Sequence, residues 1–321
     1  MEQKKFYRQL LLAAALLLAL HRPLMALLGS PQAISILIFT QTGRVVRPAD
    51  IQNTEPTKSI TPIKTTQRSS IHRGEGNAVL SFSPEDLELV EIFNASDYQP
   101  ALEQLLLCPE DLTLGSEAPT VLIIHTHTTE SYTGDISYVE PYRTLDEKAN
   151  MLAIGAEVAR VLELAGITVI HDRNIYDYPD YNGAYNASRE AVQGYLAEYP
   201  TISLVLDLHR DAAAGDAGQL KTQATVAGQD AAQLMLVVGT DGTGLRHPNW
   251  EQNLSLALKL NVLLEQEDPG ITRPISLRRQ RFNADLSPGS LLIEVGAAGN
   301  TLEEAILAAN ALARAIIKLG R

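Results

Sequence analysis

The chain has 321 residues, 45% of them apolar, which is enough for a buried core and more than one ordinary domain requires. Its 26 basic and 38 acidic residues leave a formal net charge of -12, which excludes a nucleic-acid-binding role, because phosphate binding needs Lys and Arg in excess. The single cysteine, Cys108, excludes an intramolecular disulfide and a cysteine-rich zinc cluster, so a metal site here must use histidine and carboxylate.

At the N-terminus, Lys4, Lys5 and Arg8 precede an apolar run from Leu10 to Leu20. His21, Arg22 and Pro23 follow, then a second apolar stretch from Leu24 to Leu28. A positive segment before an apolar one fits an export signal and keeps the N-terminus in the cytoplasm. The first run alone is shorter than the roughly 20 residues that cross a bilayer. A span therefore takes in Phe6 to Leu28. No clear small-x-small cleavage site is present, which favours an uncleaved membrane anchor over residues 1–30, with a cleaved signal as the alternative. The remainder is expected outside the cytoplasm as a single-pass membrane protein. Residues 31–77, rich in Thr, Ser, Pro and charge from Arg47 on, read as a linker or stalk. Residues 78–117 form a small acidic extension in which Ser83-Pro84-Glu85-Asp86 resembles a helix start.

A regular pattern begins at Thr120, so residues 118–321 are expected to be the catalytic domain. Val121-Leu122-Ile123-Ile124 is a continuous apolar run, as in a strand buried on both faces. Met151, Ile154, Val158, Val161 and Leu162 share one helical face, and Gly166 supplies the stop. Ile167 to Ile170 reads as a strand, and a Tyr- and Asp-rich loop leads to a helix over about Tyr185 to Glu198. Strands over Ile202 to Leu208, Leu234 to Val238 and Leu291 to Val295 follow, with helical spacing over Trp250 to Glu265. Gly239 to Gly244 reads as a mobile Gly-rich loop. The last helix opens on a capping box, Thr301 with Glu304. Strands alternating with helices predict an α/β fold, a mostly parallel sheet with helices on both faces.

Three of the seven histidines fall at strand ends: His125 and His127 after the first apolar run, His209 after Leu206-Asp207-Leu208. The carboxyl ends of parallel strands gather at one crevice, so these residues can converge without being near in sequence. Imidazole and carboxylate form a three-ligand catalytic zinc set with an open fourth position. Glu130 lies close enough in sequence to join such a set or to support it. Glu294 sits among Leu291, Leu292, Ile293 and Val295, where desolvation raises a carboxyl pKa and suits it to general acid/base work. The alternative for Glu294 is a salt bridge to Arg210 or Arg281. The chain contains no G-x-S-x-G elbow, P-loop or G-x-G-x-x-G after a strand.

His125-Thr126-His127-Thr128-Thr129-Glu130-Ser131-Tyr132, Asp207-Leu208-His209-Arg210-Asp211-Ala212, His247-Pro248-Asn249-Trp250 and Asp285 to Gly296 together resemble the stage II sporulation protein P family, in the family's order, over Ala118 to Lys318. One departure is Ala284, where the family usually carries Gln. The family's domain is similar to zinc N-acetylmuramoyl-L-alanine amidases. The resemblance implies His127, Glu147 and His209 as zinc ligands and Glu294 as the remaining site residue, here the proton shuttle; Arg210, next to His209, is a candidate oxyanion stabiliser. His125 and Glu130 remain alternatives as ligands or support. It also implies a peptidoglycan substrate, a second activity on stem-peptide cross-links, and a role in forespore engulfment at the sporulation septum. A SpoIID-like lytic partner and a SpoIIM-like membrane protein are the implied partners. A vegetative autolysin and a non-catalytic wall-binding module are the alternatives.

Overall fold

The computed structural model describes residues 80–109, 112–134, 136–212, 214–215 and 218–320. The expected anchor over residues 1–30 and linker over 31–77 lie outside the described residues. No helix among the described residues is long and apolar enough to cross a membrane.

After a 3-10 turn at Pro84–Leu89 come strand β1 (Ile92–Asn94), helix α1 (Leu102–Leu107), β2 (Val121–Ile124), α2 (Met151–Leu164), β3 (Val169–His171), α3 (Ala184–Glu198) and β4 (Leu204–Asp211). Two small hairpins follow, β5 (Ala214–Gly215) with β6 (Gly218–Gln219), and β7 (Ala224–Val226) with β8 (Gln229–Ala231). The chain ends with β9 (Leu234–Val238), α4 (Trp250–Glu267), β10 (Ile275–Leu277), β11 (Ser290–Ala297) and α5 (Leu302–Leu319). The main sheet has seven strands in the order β1-β10-β9-β11-β4-β2-β3. Every neighbouring pair is parallel except β11 with β9. The expected α/β class with a mostly parallel sheet therefore holds.

Strands β2 and β9 are buried at every residue because both their faces are covered. One face carries the main core, where α2, α4 and α5 pack on Val121, Ile123, Leu206, Leu208, Leu236 and Ile293. On the other, Val192 of α3 packs with Leu122, Ile124 and Val205. Farther along that second face, Met235, Val237 and Leu292 form a small separate cluster against Phe282. Asn150 caps α2 by accepting the Leu152 N–H at 3.0 Å, and Gly166, at φ +83, ends that helical segment. The capping box of α5 forms as the sequence predicts, with Thr301 and Glu304 bonded reciprocally at 3.3 and 3.1 Å.

Two expectations change. Residues 80–109, set apart in the sequence as an extension, are built into the same sheet. β1 pairs with β10, and Leu106 of α1 is fully buried, with the Ser255 hydroxyl of α4 donating to Leu105 O at 2.7 Å. The Gly239 to Gly244 loop is pinned rather than free. Tyr98 donates to Asp241 at 2.5 Å, Thr240 to Arg278 O at 2.9 Å and Arg279 to Gly242 O at 3.0 Å. A Cβ on Gly239 would lie 2.3 Å from Gln280 O, so the glycine permits a close backbone approach.

Candidate active site

The segment His125 to Tyr132 leaves β2 and turns inward, and it is buried although most of its residues are polar. Burial of this kind is stable where each polar group finds a partner. Thr126 donates from its backbone N–H and its hydroxyl to Asp207 at 2.8 and 2.7 Å. The Thr128 hydroxyl reaches His125 O at 2.8 Å, and the Thr129 hydroxyl reaches Asp177 at 2.8 Å. Tyr132 donates to Val295 O at 2.8 Å, tying the segment to β11.

His127 faces the site. Its ring meets that of His209 edge-on, with centroids 5.3 Å apart, and stacks on Tyr181 at 4.4 Å. Tyr185 approaches it edge-on at 5.5 Å. Its Nδ1, 3.9 Å from Asp177, is buried without a hydrogen bond. Burial pushes the His127 pKa down. His209 lies on β4 between two carboxylates, with Nδ1 3.4 Å from Glu130 and Nε2 2.9 Å from Asp207, the latter outside hydrogen-bond geometry. Burial opposes its charge, but Asp207 and Glu130 outweigh burial and raise the His209 pKa well above its ordinary value. Burial would likewise raise the Glu130 carboxyl, yet Arg210 and His209 hold it down at about 2.

Glu294 pairs in register with His209 on the neighbouring parallel strand, so the two side chains share one face of the sheet. Among the described residues it has no ion pair, and its Oε2 is buried without a hydrogen bond. The alternative salt bridge does not form: Arg210 lies against Glu130 and Arg281 against Asp285, at 3.5 and 3.3 Å. Burial and the charge of Asp211 raise the Glu294 pKa to about 8. Just beyond it, the register with β4 shifts between Glu294 and Ala297, and Gly296 takes φ +73 with Ala232 against it.

The other candidates separate. His125 turns away, with Nδ1 3.1 Å from Leu208 O and Nε2 2.9 Å from His171 Nε2, under Gly155 of α2. Burial and His171 lower its pKa to about 3, which marks it as a neutral packing residue. Glu147 is exposed and paired with Arg173. It does not open a helix, because α2 begins later, behind its Asn150 cap. Arg210 is committed elsewhere: its guanidinium donates to Ser131 O at 3.0 Å and Tyr142 O at 2.9 Å. Ala284 is buried in a 3-10 turn beside Phe282 and Asn283.

Asp207, Asp177, Tyr181 and Tyr185 escaped the sequence reading. Asp207 was findable, since it sits two residues before His209 and strand periodicity puts both on one face. The tyrosines come from the Tyr- and Asp-rich loop and the first turn of α3, whose fold back over β2 has no local signature.

The donor chemistry here fits zinc. Two buried imidazoles meet edge-on, His127 with an unpartnered Nδ1 and His209 with its Nε2 against Asp207, and carboxylates that favour a proton there also favour a divalent cation. Among the described residues, however, no three His, Cys, Asp or Glu side chains already converge as a metal-ligating group.

The chain is similar to stage II sporulation protein P of Bacillus subtilis (strain 168), at 31% identity over 217 residues. That likeness covers 64% of this chain and 52% of the relative, so the chain spans about half the length of the curated relative it matches. It is also similar to the N-acetylmuramoyl-L-alanine amidase AmiC2 of Nostoc punctiforme, at 18% identity and a TM-score of 0.35, covering 62% of this chain and 96% of that one. An N-acetylmuramoyl-L-alanine amidase from Clostridium difficile 630 matches at 16% identity and a TM-score of 0.37, covering 64% of this chain and 95% of that one. The family model for stage II sporulation protein P matches residues 43–317, and the chain belongs to that family.

Proposed function

We propose that this chain is a peptidoglycan hydrolase that cuts the amide between N-acetylmuramic acid and the L-alanine of the stem peptide, with zinc as its metal. The observation that carries this reading is Glu294, a carboxylate with a buried, unpartnered oxygen beside His209 on the adjacent strand. A zinc ion held by His127, His209 and a neighbouring carboxylate, Glu130 in preference to Glu147, would polarise the scissile carbonyl and lower the pKa of a water to about 7.

Glu294 takes a proton from the attacking water as the new C–O bond forms. It returns that proton to the amide nitrogen as the C–N bond breaks. Burial raises the Glu294 carboxyl above its ordinary range, toward the neutral region in which one group can both take and return a proton. Arg210 acts on Glu130, keeping it charged beside His209. Asp177 anchors the loop that carries His127.

The family resemblance extends the proposal to cutting of stem-peptide cross-links and to septal wall degradation during engulfment. It also extends to a SpoIID-like lytic partner, a SpoIIM-like membrane protein, and anchoring through residues 1–30 with the domain outside the cytoplasm. The metal assignment is tested by zinc content. His127→Ala and His209→Ala should each lose most of the bound zinc while remaining folded, and Glu147→Ala should keep it. Full zinc in both histidine variants, or loss in Glu147→Ala, would overturn the ligand set.

A further inference from the structure

We propose that Tyr185 is a catalytic residue of this site, its phenol hydroxyl donating a hydrogen bond to the scissile carbonyl oxygen as that oxygen gains negative charge. The inference rests on the hydrolase reading above and adds the group that holds the oxyanion.

Tyr185 stands in the first turn of α3, with its ring edge-on to His127 at 5.5 Å and tilted against Phe282 at 6.2 Å. Its backbone is held from the opposite wall, since Asn283 Nδ2 donates to Tyr185 O at 2.8 Å. Arg189 reinforces that clamp through two 2.8 Å bonds to Asp285. Through Phe282 the ring borders the Met235, Val237 and Leu292 cluster, on the sheet face that carries Glu294. Its hydroxyl forms no hydrogen bond to any described residue, whereas Tyr132 and Tyr138 donate to Val295 O and Tyr132 O at 2.8 Å each. The side chain is half-buried, so the hydroxyl stays open beside His127 and is free to donate to a group bound there.

Neighbouring donors do not compete for this task. Arg210 is spent on Ser131 O, Tyr142 O and Glu130. Tyr181 lies flat on His127, with the Arg143 guanidinium over its other face at 4.3 Å. A phenol keeps its proton at neutral pH, with an ordinary pKa of about 10. Tyr185 is therefore a donor at neutral pH.

The step balances. Water oxygen bonds to the carbonyl carbon, its proton passes to Glu294, and the C=O π pair moves onto oxygen. Tyr185 donates to that oxygen without transferring its proton. When the pair returns, the C–N bond breaks and the nitrogen takes the proton from Glu294.

The test uses the full-length chain and Tyr185→Phe, which keeps the ring and its packing. Zinc content and circular dichroism should be unchanged, while kcat for release of stem peptide falls about 10²-fold with little change in KM, the usual loss for one oxyanion donor. A phosphinate isostere of muramoyl-L-alanine, which carries the charged tetrahedral oxygen, should bind the variant about 10²-fold more weakly. An uncleaved muramoyl fragment should bind both proteins equally. Equal kcat and equal phosphinate affinity in an active pair would overturn the role of Tyr185 alone. Wild-type protein that releases no stem peptide would overturn the hydrolase reading and this inference with it.

Discussion

His125 and His127 stand two positions apart and do different work, because one turns under α2 and the other faces β4 and β11. The residue pattern leaves both open and the resemblance points to His127; the tertiary fold puts the two in different surroundings. Glu294 shows the opposite case: a carboxylate inside an apolar strand run was legible in the sequence, and its partner His209 was legible as a strand end. The resemblance puts Glu147 in the ligand set; in the structure it is exposed and paired with Arg173, ahead of the helix start that Asn150 sets. The Glu294 carboxyl, raised to about 8 from an ordinary value of about 4.3, has a sign that can be checked. Between those values the folded state holds a proton that the unfolded state has released, so this group works against folding as pH rises through the window. In metal-free protein, Glu294→Gln should therefore gain stability relative to wild type as pH goes from about 5 to about 8. Urea unfolding at several pH values measures this difference. A difference that stays flat or shrinks across the range would contradict the desolvated carboxylate.

At the scale of elements, the long apolar strands and the capped helices were legible from period and capping chemistry. β9 spans the predicted residues, and α5 starts at its predicted cap. β4 starts two residues later than predicted and runs on to Asp211, and β11 extends one residue before and two after its predicted ends, because the added residues are polar or small and carry no apolar signal. β1 and β10 were missed: each is three residues long with a polar residue among them, Asn94 and Ser276. α2 carries a further constraint: Gly155 leaves room for the His125–His171 pair, and a Cβ there would lie 2.4 Å from both Nε2 atoms. Gly155→Ala should destabilise the fold by about 1–3 kcal/mol, as overpacking of a filled interior does. The urea midpoint should drop accordingly. An unchanged midpoint would mean that the histidine pair is not packed beneath this helix as described.

For the whole molecule, the alternation of strands and helices made the α/β class legible, but the sheet order was not. Strand β11 enters between β9 and β4, antiparallel to the first and parallel to the second, and this insertion brings Glu294 beside His209. Three helices cover one face, whereas α3 covers part of the other. On that second face the Met235, Val237 and Leu292 cluster, closed by Phe282, lies beside Glu294. Digestion of purified sacculi by the full-length chain tests the hydrolase assignment most directly, with mass spectrometry of stem peptides carrying a free L-alanine amine. Zinc-loaded wild type should release them, a chelator should stop the release, and added zinc should restore it. Glu294→Gln, still holding zinc, should release them roughly 10²–10⁴-fold more slowly. Zinc-loaded wild type that frees no L-alanine amine, or a Glu294→Gln variant as fast as wild type, would contradict the account.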